Sequence, residues 1–331
     1  MMNYEIFKEV VKEKFLSYMP DEYKNREVIV QQVEKVNETL DGLTLKDNTS
    51  GFSVSPTIYI NDMYKHYLKD EDLDIVLVEA ANRMVQGMKM APDEVQKIDY
   101  ENAKDNVIFQ LINTEQNKEM LNGMPHREFQ DLAIIYRWIV SLDHDCVHSA
   151  VIHNPLAEHL GMSEEELFKV AAENTRRILP PVVKDMNSIM REMFIKDGMP
   201  EEMADMMIGE IPPENMMYVI TNEKGINGAA SMMYEDKLHE LSEKLESDLY
   251  ILPSSVHEVI AVSSEMGDPN ELAALVSEVN MSSVELNERL SNQVYHYDKD
   301  LRKLTLATDT PNKRLDGIVA EVKMIYNEKN R

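Results

Sequence analysis

The period of the apolar residues switches repeatedly along this chain, and that alternation restricts the fold more than any other feature of the sequence. Ile6, Val10, Val11 and Phe15 recur at the spacing that lines one face of a helix. The next stretches, "REVIVQQV", "GLTLKD" and "FSVSPTIYI", instead carry β-branched and alternating apolar positions separated by Asn, Asp and Gly, as strands joined by turns do. Residues 62–90 return to helical spacing through Tyr64, Tyr67, Leu68, Ile75, Leu77 and Val78. A chain punctuated this way predicts an α+β protein, with mixed, largely antiparallel sheets and helices packed on them.

The same grammar runs on. "NVIFQLIN" and "DLAIIYRWIV" read as strands, with a short helix over "TEQNKEML" between them and Thr114 as its expected cap. "SLDHDC" reads as a hairpin turn into "VHSAVIHN". The helix "MSEEELFKVAAENTRRI" then opens on Ser163, with Glu166 placed to complete a capping box. Further on, "MMYVITN", "GAASMMY", "QVYHYD" and "LRKLTLA" read as strands, with helices from Glu235 to about Glu246 and near 270–279.

Two pairings of these blocks suggest related lobes. "YINDMYKHYLKDEDLDIVLVEAANR" aligns with "VIHNPLAEHLGMSEEELFKVAAENT" without a gap, matching Ile60 to Ile152, Leu68 to Leu160, Val78 to Val170, Ala80 to Ala172 and Asn82 to Asn174. A second pairing sets residues 107–136 beside 228–262, each read as strand, helix, strand. Between the lobes, residues 186–217 hold nine of the 24 methionines and several Pro and Gly. The expected organisation is therefore an N-terminal lobe over 1–185, a Met-rich connector over 186–217, a C-terminal lobe over 218–308 and a charged helical tail over 309–331. In the connector, flexible Met side chains are expected to fill gaps against both lobes.

Charge excludes one class of partner. Thirty-four Lys and Arg against 60 Asp and Glu give a net charge of -26, which repels the phosphate backbone whose counterions a nucleic-acid binder must displace. A basic protein partner is compatible with the same surface. The single cysteine, Cys146, cannot form an internal disulfide, and charges at Glu5, Lys8, Glu9 and Lys12 interrupt the apolar core a signal peptide would need. With no run of about 20 apolar residues to span a membrane, the expected location is the cytoplasm.

Three segments carry candidate chemistry. "DLYILPSSVHEVIAV", residues 248–262, holds Ser255, His257 and Glu258, but strand alternation would turn Ser255 and His257 to one face and Glu258 to the other. A nucleophile, base and orienting acid must bond in series, so a break in the strand at Pro253 is the competing reading, with the serines satisfying freed backbone groups. "MPHREFQDL", residues 124–132, gathers His126, Arg127, Glu128 and Asp131, which could bind an anion or move a proton, or pair locally in a turn. Were the second pairing real, His126 and Glu128 would share a cleft with His257 and Glu258, a hydrolytic arrangement. "DHDCVH" places His144, Cys146 and His148 at alternate positions, a spacing that could hold part of a zinc site and that also suits a hairpin turn. Phosphate-binding and dinucleotide motifs are missing from the sequence, and no cofactor is expected.

With "PTIYINDMY", "MPHREFQDLAIIY", "IHNPLAEHLGMSEEELFKVAAENTRRILP", "MYVITN", "NGAA" and "SDLYILPSSVHEVIAV" in view, the chain resembles a domain-of-unknown-function family of uncharacterised proteins from anaerobic gut Firmicutes, many encoded near mobile elements. The strand–Asn–helix unit and the "P-S-x-x-H-E" break also resemble, more faintly, a second uncharacterised family of bacterial cytosolic proteins. The resemblance implies a bacterial, cytosolic, accessory protein, with Pro125, His126, Arg127, Glu128, Pro253, Ser254, His257 and Glu258 at motif positions. It implies no activity. The expected function is a non-enzymatic interaction or regulatory protein, with the hydrolytic and zinc-dependent readings as alternatives.

Overall fold

The computed structural model describes residues 1–47, 56–70, 72–90, 103–142, 147–209, 212, 215–311 and 313–317. The chain divides into two compact units, Met1–Asp99 and Tyr100–Arg331.

In the first unit, helix α1 (Tyr4–Lys14) precedes the hairpin β1 (Glu27–Lys35) and β2 (Glu38–Lys46), and the short β3 (Ile58–Tyr59) completes an antiparallel sheet in the order β1-β2-β3. Asn37 takes the left-handed backbone conformation at the tight β1–β2 turn, a conformation Asn tolerates better than most residues. The helical stretch expected over 62–90 is two helices, α2 (Ile60–Asp70) and α3 (Leu73–Met90). Asp72 separates them, its carboxylate accepting from the amides of Asp74 and Ile75 and so satisfying donors that the first turn of α3 leaves free. Phe7, Val11 and Phe15 pack with Leu43, Leu45, Ile60, Leu77 and Met84 as this unit's core. The helical spacing of α1 thus reports the face it buries.

The second unit contains two sheets. One is built on the long β6 (Leu132–Leu142), which pairs with β4 (Val107–Asn113) on one side and with both β5 (His126–Phe129) and β7 (Val147–Val151) on the other, all antiparallel. Helix α4 (Lys118–Leu121) is a single turn that follows Asn117, and Thr114 is not its cap; the Thr114 amide instead donates to the Asp131 carbonyl at 3.0 Å. After β7 come α5 (Asn154–Leu160) and α6 (Glu164–Ile178), where the Ser163–Glu166 capping box forms as the sequence predicts. In the first unit β3 leads into the helices α2 and α3, and in the second β7 leads into α5 and α6, the segments that align in sequence.

The other sheet has the order β13-β12-β10-β11-β9-β8, with β8 (Pro181–Asp185), β9 (Tyr218–Asn222), β10 (Leu249–Leu252), β11 (Val259–Ser263), β12 (Tyr295–Asp298) and β13 (Lys303–Leu306) antiparallel throughout. Helices α7 (Met186–Lys196) and α8 (Glu201–Ile208) lie between β8 and β9, α9 (Glu235–Leu245) precedes β10, and α10 (Pro269–Ser283) follows β11. "GAASMMY" is a buried 3₁₀ turn over Gly228–Met233, not a strand. Gly, two Ala and Ser let the backbone approach its neighbours there, and nothing in their local pattern distinguishes such a turn from a buried strand.

The Met-rich segment does not divide the chain. β8 precedes it, β9 follows it, and the two pair from Pro181↔Asn222 to Asp185↔Tyr218. One apolar core runs through both sheets of the second unit, joining Phe109, Leu132, Tyr136 and Leu167 to Ile220, Ala229, Leu249 and Tyr295. The cohesion follows that shared core, and the boundary between compact units falls at Asp99/Tyr100. Residue 312 and residues 318–331 of the expected charged tail lie outside the described residues.

Candidate functional site

The segment after β10 shows how Pro253 reshapes the sheet. Having no amide hydrogen, Pro253 cannot continue donating to the ladder, and β10 ends at Leu252 while its partner β11 starts only at Val259. Residues 253–256 turn to a different partner: Ser291 donates to the Pro253 carbonyl at 2.9 Å, Leu290 to that of Ser254 at 3.1 Å, and the Val256 amide to Glu288 at 2.8 Å. Ser255 is buried, and its Oγ accepts from the His257 amide at 3.0 Å. The strand break expected at Pro253 is what forms, with a serine satisfying a freed backbone group.

The His257 ring is engaged elsewhere. Its Nδ1 accepts from the Asn227 amide at 3.3 Å, so the proton of the neutral ring sits on Nε2, which lies 3.7 Å from Glu288. The His257 carbonyl accepts from Thr221 Oγ1 at 2.8 Å. The ring therefore has a backbone donor and a carboxylate as neighbours, and the Ser255 hydroxyl contacts the His257 main chain. Glu258 is half-buried beside it.

The second motif is also a network. His126 Nδ1 donates to the Met124 carbonyl at 3.1 Å, which leaves Nε2 as the acceptor of the neutral ring. Arg127 makes a bidentate pair with Glu164, the first residue of α6, at 3.0 and 2.9 Å, and its guanidinium lies 3.9 Å above the Phe168 ring. The buried Tyr136 hydroxyl donates to the same carboxylate. Glu128 is exposed on β5. An equivalent arrangement recurs on the other sheet, where Tyr297 donates to Glu235, the first residue of α9, at 2.8 Å and Arg302 pairs with it at 2.5 and 2.9 Å. Each network ties a helix N-terminus to a sheet through a Glu that the helix dipole also favours.

The electrostatics of the first network fix a pH dependence. Burial disfavours the Glu164 charge, but the Arg127 guanidinium and the Tyr136 hydroxyl outweigh it and hold the carboxyl below the usual range. A depressed folded-state pKa stabilises above the unfolded value of about 4.3 and ceases to do so as pH falls through the folded value. Arg127→Met is therefore expected to lower stability at pH 7 by about 1 kcal/mol. The deficit should shrink below pH 4, as read from urea midpoints along a pH series.

Asp131 links the two motif segments. Its half-buried carboxylate accepts from Ser291 Oγ at 2.5 Å and from the hydroxyl of the fully buried Tyr295. Ser291 is the residue whose amide holds Pro253, so the "HREFQD" segment and the "PSSVHE" break meet through Asp131 and the irregular stretch 288–294 that leads into β12. The His126 and His257 rings have separate partners. Burial pushes the Asp131 carboxyl above the usual carboxylate range, partly offset by the Ser291 and Tyr295 hydroxyls. Tyr295 was not singled out in the sequence, where it reads only as one apolar position of a strand.

Of the zinc candidates, His144 and Cys146 lie outside the described residues, and His148 is on β7 opposite Ser141. Among the described residues no group of three or more His, Cys, Asp or Glu side chains could hold a metal ion, and no helix is long and apolar enough to cross a membrane.

The segment between β8 and β9 departs most from expectation. Met190 and Met193 on α7 are 39% and 59% exposed, and Met203, Met206 and Met207 on α8 are 56%, 83% and 63% exposed. These side chains do not fill gaps. The small Ala204 takes the buried position of α8, so the Met residues at 203, 206 and 207 form a stripe at helical spacing turned to solvent. Arg191 reaches across the pair to Asp205 at 2.6 Å and Glu201 at 3.2 Å, and Lys184 pairs with Glu192 at 3.0 Å.

Fold and surface together define an α+β protein of two units, the second carrying a methionine-faced helical hairpin. The family of unknown function DUF5688 matches residues 4–299, and the chain belongs to that family. No curated protein and no solved structure matches the chain.

Proposed function

We propose that this chain is a non-enzymatic, cytoplasmic interaction protein of a bacterial accessory system, and that the α7–α8 hairpin is the surface through which it docks a protein partner. The observation that carries the reading is the exposure of five methionines on two adjacent helices whose small Ala204 faces inward. Burying one such side chain is worth about 1.5–3 kcal/mol, so a hairpin selected only for stability would turn the stripe the other way. Large apolar side chains exposed together on one surface element mark interaction sites, and methionine suits them because its flexible thioether adapts to the partner.

The hydrolytic alternative through His126, Glu128, His257 and Glu258 has less support. Ser255 is committed to the His257 amide, and the two rings are oriented by the Asn227 amide and the Met124 carbonyl. A base needs a reacting group within hydrogen-bond reach, whereas the bonds at these segments serve the strand break and the turn.

Affinity purification from the native host separates the readings. The fivefold variant Met190→Gln, Met193→Gln, Met203→Gln, Met206→Gln, Met207→Gln is expected to keep the wild-type melting temperature and lose the wild-type partner. His126→Ala/His257→Ala is expected to retain it. A fivefold variant that still recovers the wild-type partner would contradict the docking reading.

A further inference from the structure

We infer that the stretch 289–293, together with Gln116, is a recognition groove for a linear peptide, occupied in this chain by its own residues 309–317. The inference is independent of the α7–α8 hairpin. Past β13 the described residues of 309–317 form neither helix nor strand, although the sequence predicts a helical tail there. Polar side chains hold them instead, mostly by the main chain. Gln293 brackets Thr310: its Nε2 donates to the Thr310 carbonyl at 3.2 Å and hydroxyl at 2.8 Å, and its Oε1 accepts from the Thr310 amide at 2.9 Å. Asn292 donates to the Arg314 carbonyl at 3.2 Å, Arg289 donates to the Leu315 carbonyl at 2.6 Å, and the Leu315 amide donates to Gln116 Oε1 at 3.2 Å. Leu315 is 1% exposed, while Asp309, Pro311, Lys313 and Arg314 stand exposed around it. One apolar anchor and a set of main-chain bonds are how proteins bind linear peptides, the bonds giving affinity and the pocket specificity.

What the groove reads follows from these bonds. Lys313 pairs with Asp309 at 2.9 Å and Arg314 pairs with Asp316, so these ion pairs are internal to the segment. The Thr310 hydroxyl and the buried Leu315 side chain supply the sequence preference. The class of peptide that fits therefore carries Thr or Ser and, five residues on, a side chain of the size of Leu. Asn292 and Gln293 are 6% and 1% exposed, and an empty groove would leave their side-chain amides unsatisfied. The segment is thus exchanged for another main chain rather than lost to solvent. The stretch that holds it faces two ways. Its Leu290 and Ser291 amides hold the break at Pro253 and Ser254, while its side chains hold the segment, so exchange leaves the break in place. A tethered segment competes at an effective concentration on the order of millimolar. The groove is therefore masked until the segment is weakened or a tighter peptide arrives.

The test uses the full chain, its Leu315→Ser variant and a fluorescein-labelled peptide of residues 309–317, DTPNKRLDG, in fluorescence anisotropy. The variant is expected to bind this peptide about tenfold or more tightly than wild type does, because its own segment has lost the anchor. Ser in place of Leu in the peptide is expected to weaken binding about tenfold, and Gln116→Ala added to the variant severalfold. Equal binding by wild type and variant, equal binding of the two peptides, or no binding by the variant would overturn the inference. Hydrogen exchange of the wild-type chain tests it without a substitution. The amides of Thr310 and Leu315 are expected to exchange about tenfold or more faster than those of β10 and β11, by opening of the segment alone. Exchange of all of them at one rate, or unfolding of the whole second unit by Leu315→Ser, would make the segment an integral part of the core and overturn the inference as well.

Discussion

Gly228→Ala is expected to destabilise the second unit by about 3 kcal/mol or more, because the new methyl has no space to enter. A Cβ there would overlap both Thr221 Oγ1 and the His257 carbonyl oxygen, which are already hydrogen-bonded to each other, and would sit 3.0 Å from the Asn222 amide nitrogen. Thr221 could rotate only by abandoning that bond. The His257 carbonyl cannot yield without moving the segment after Pro253, which is fixed by Val256 to Glu288 and by Ala229 to Val256. At about 2–4 °C per kcal/mol for a unit of this size, the melting temperature should fall by roughly 6–12 °C. Gly123→Ala is the matched control, since its nearest neighbour would be the Met120 carbonyl at 3.6 Å, an ordinary contact. Equal melting temperatures for the two variants would show that the turn over Gly228–Met233 is not packed as described.

Asp131→Ala should cost about 2–4 kcal/mol. It removes the acceptor of the Ser291 hydroxyl and of the fully buried Tyr295 hydroxyl, and a buried polar group left unsatisfied loses about 1–3 kcal/mol. Asp131→Asn should cost less, because its amide oxygen still accepts from one hydroxyl while its NH₂ can donate to the other. The pH dependence has the opposite sign to that of Glu164. A carboxyl raised in the folded state favours folding most below the unfolded value of about 3.9, and that contribution is lost as pH rises through the folded value. Wild type should therefore gain stability relative to Asp131→Asn as pH falls from 7 towards 4. Urea midpoints that move in parallel for the two proteins would show that the carboxyl is not raised by burial.

The sequence is legible where the physics is local. The capping box at Ser163 and Glu166 needs only neighbouring residues, and so does the strand break at Pro253. The α+β class followed from periods of apolar residues, which report the buried face of each element. Features decided by distant contacts were not legible. That the Met-rich segment lies within one unit follows from β8 pairing with β9 across it, whereas its composition suggests a linker. The Asp131–Tyr295 bond joins residues 164 positions apart. For the exposed stripes a signal did exist: Ala204 stands at the one buried position of α8 while Met203, Met206 and Met207 share the other face. Counting Met as apolar and expecting apolar residues inside hid it.

The most direct test of the docking hairpin is methionine oxidation by dilute peroxide, read residue by residue by mass spectrometry, on the purified chain and on the chain in extract of its native host. Met281, 52% exposed on α10, and Met266 serve as internal references. Oxidation of Met190, Met193, Met203, Met206 and Met207 is expected to slow severalfold in the extract while the references keep their rates. Oxidation of all five at the reference rate in both settings would contradict the claim that this face is covered by a partner.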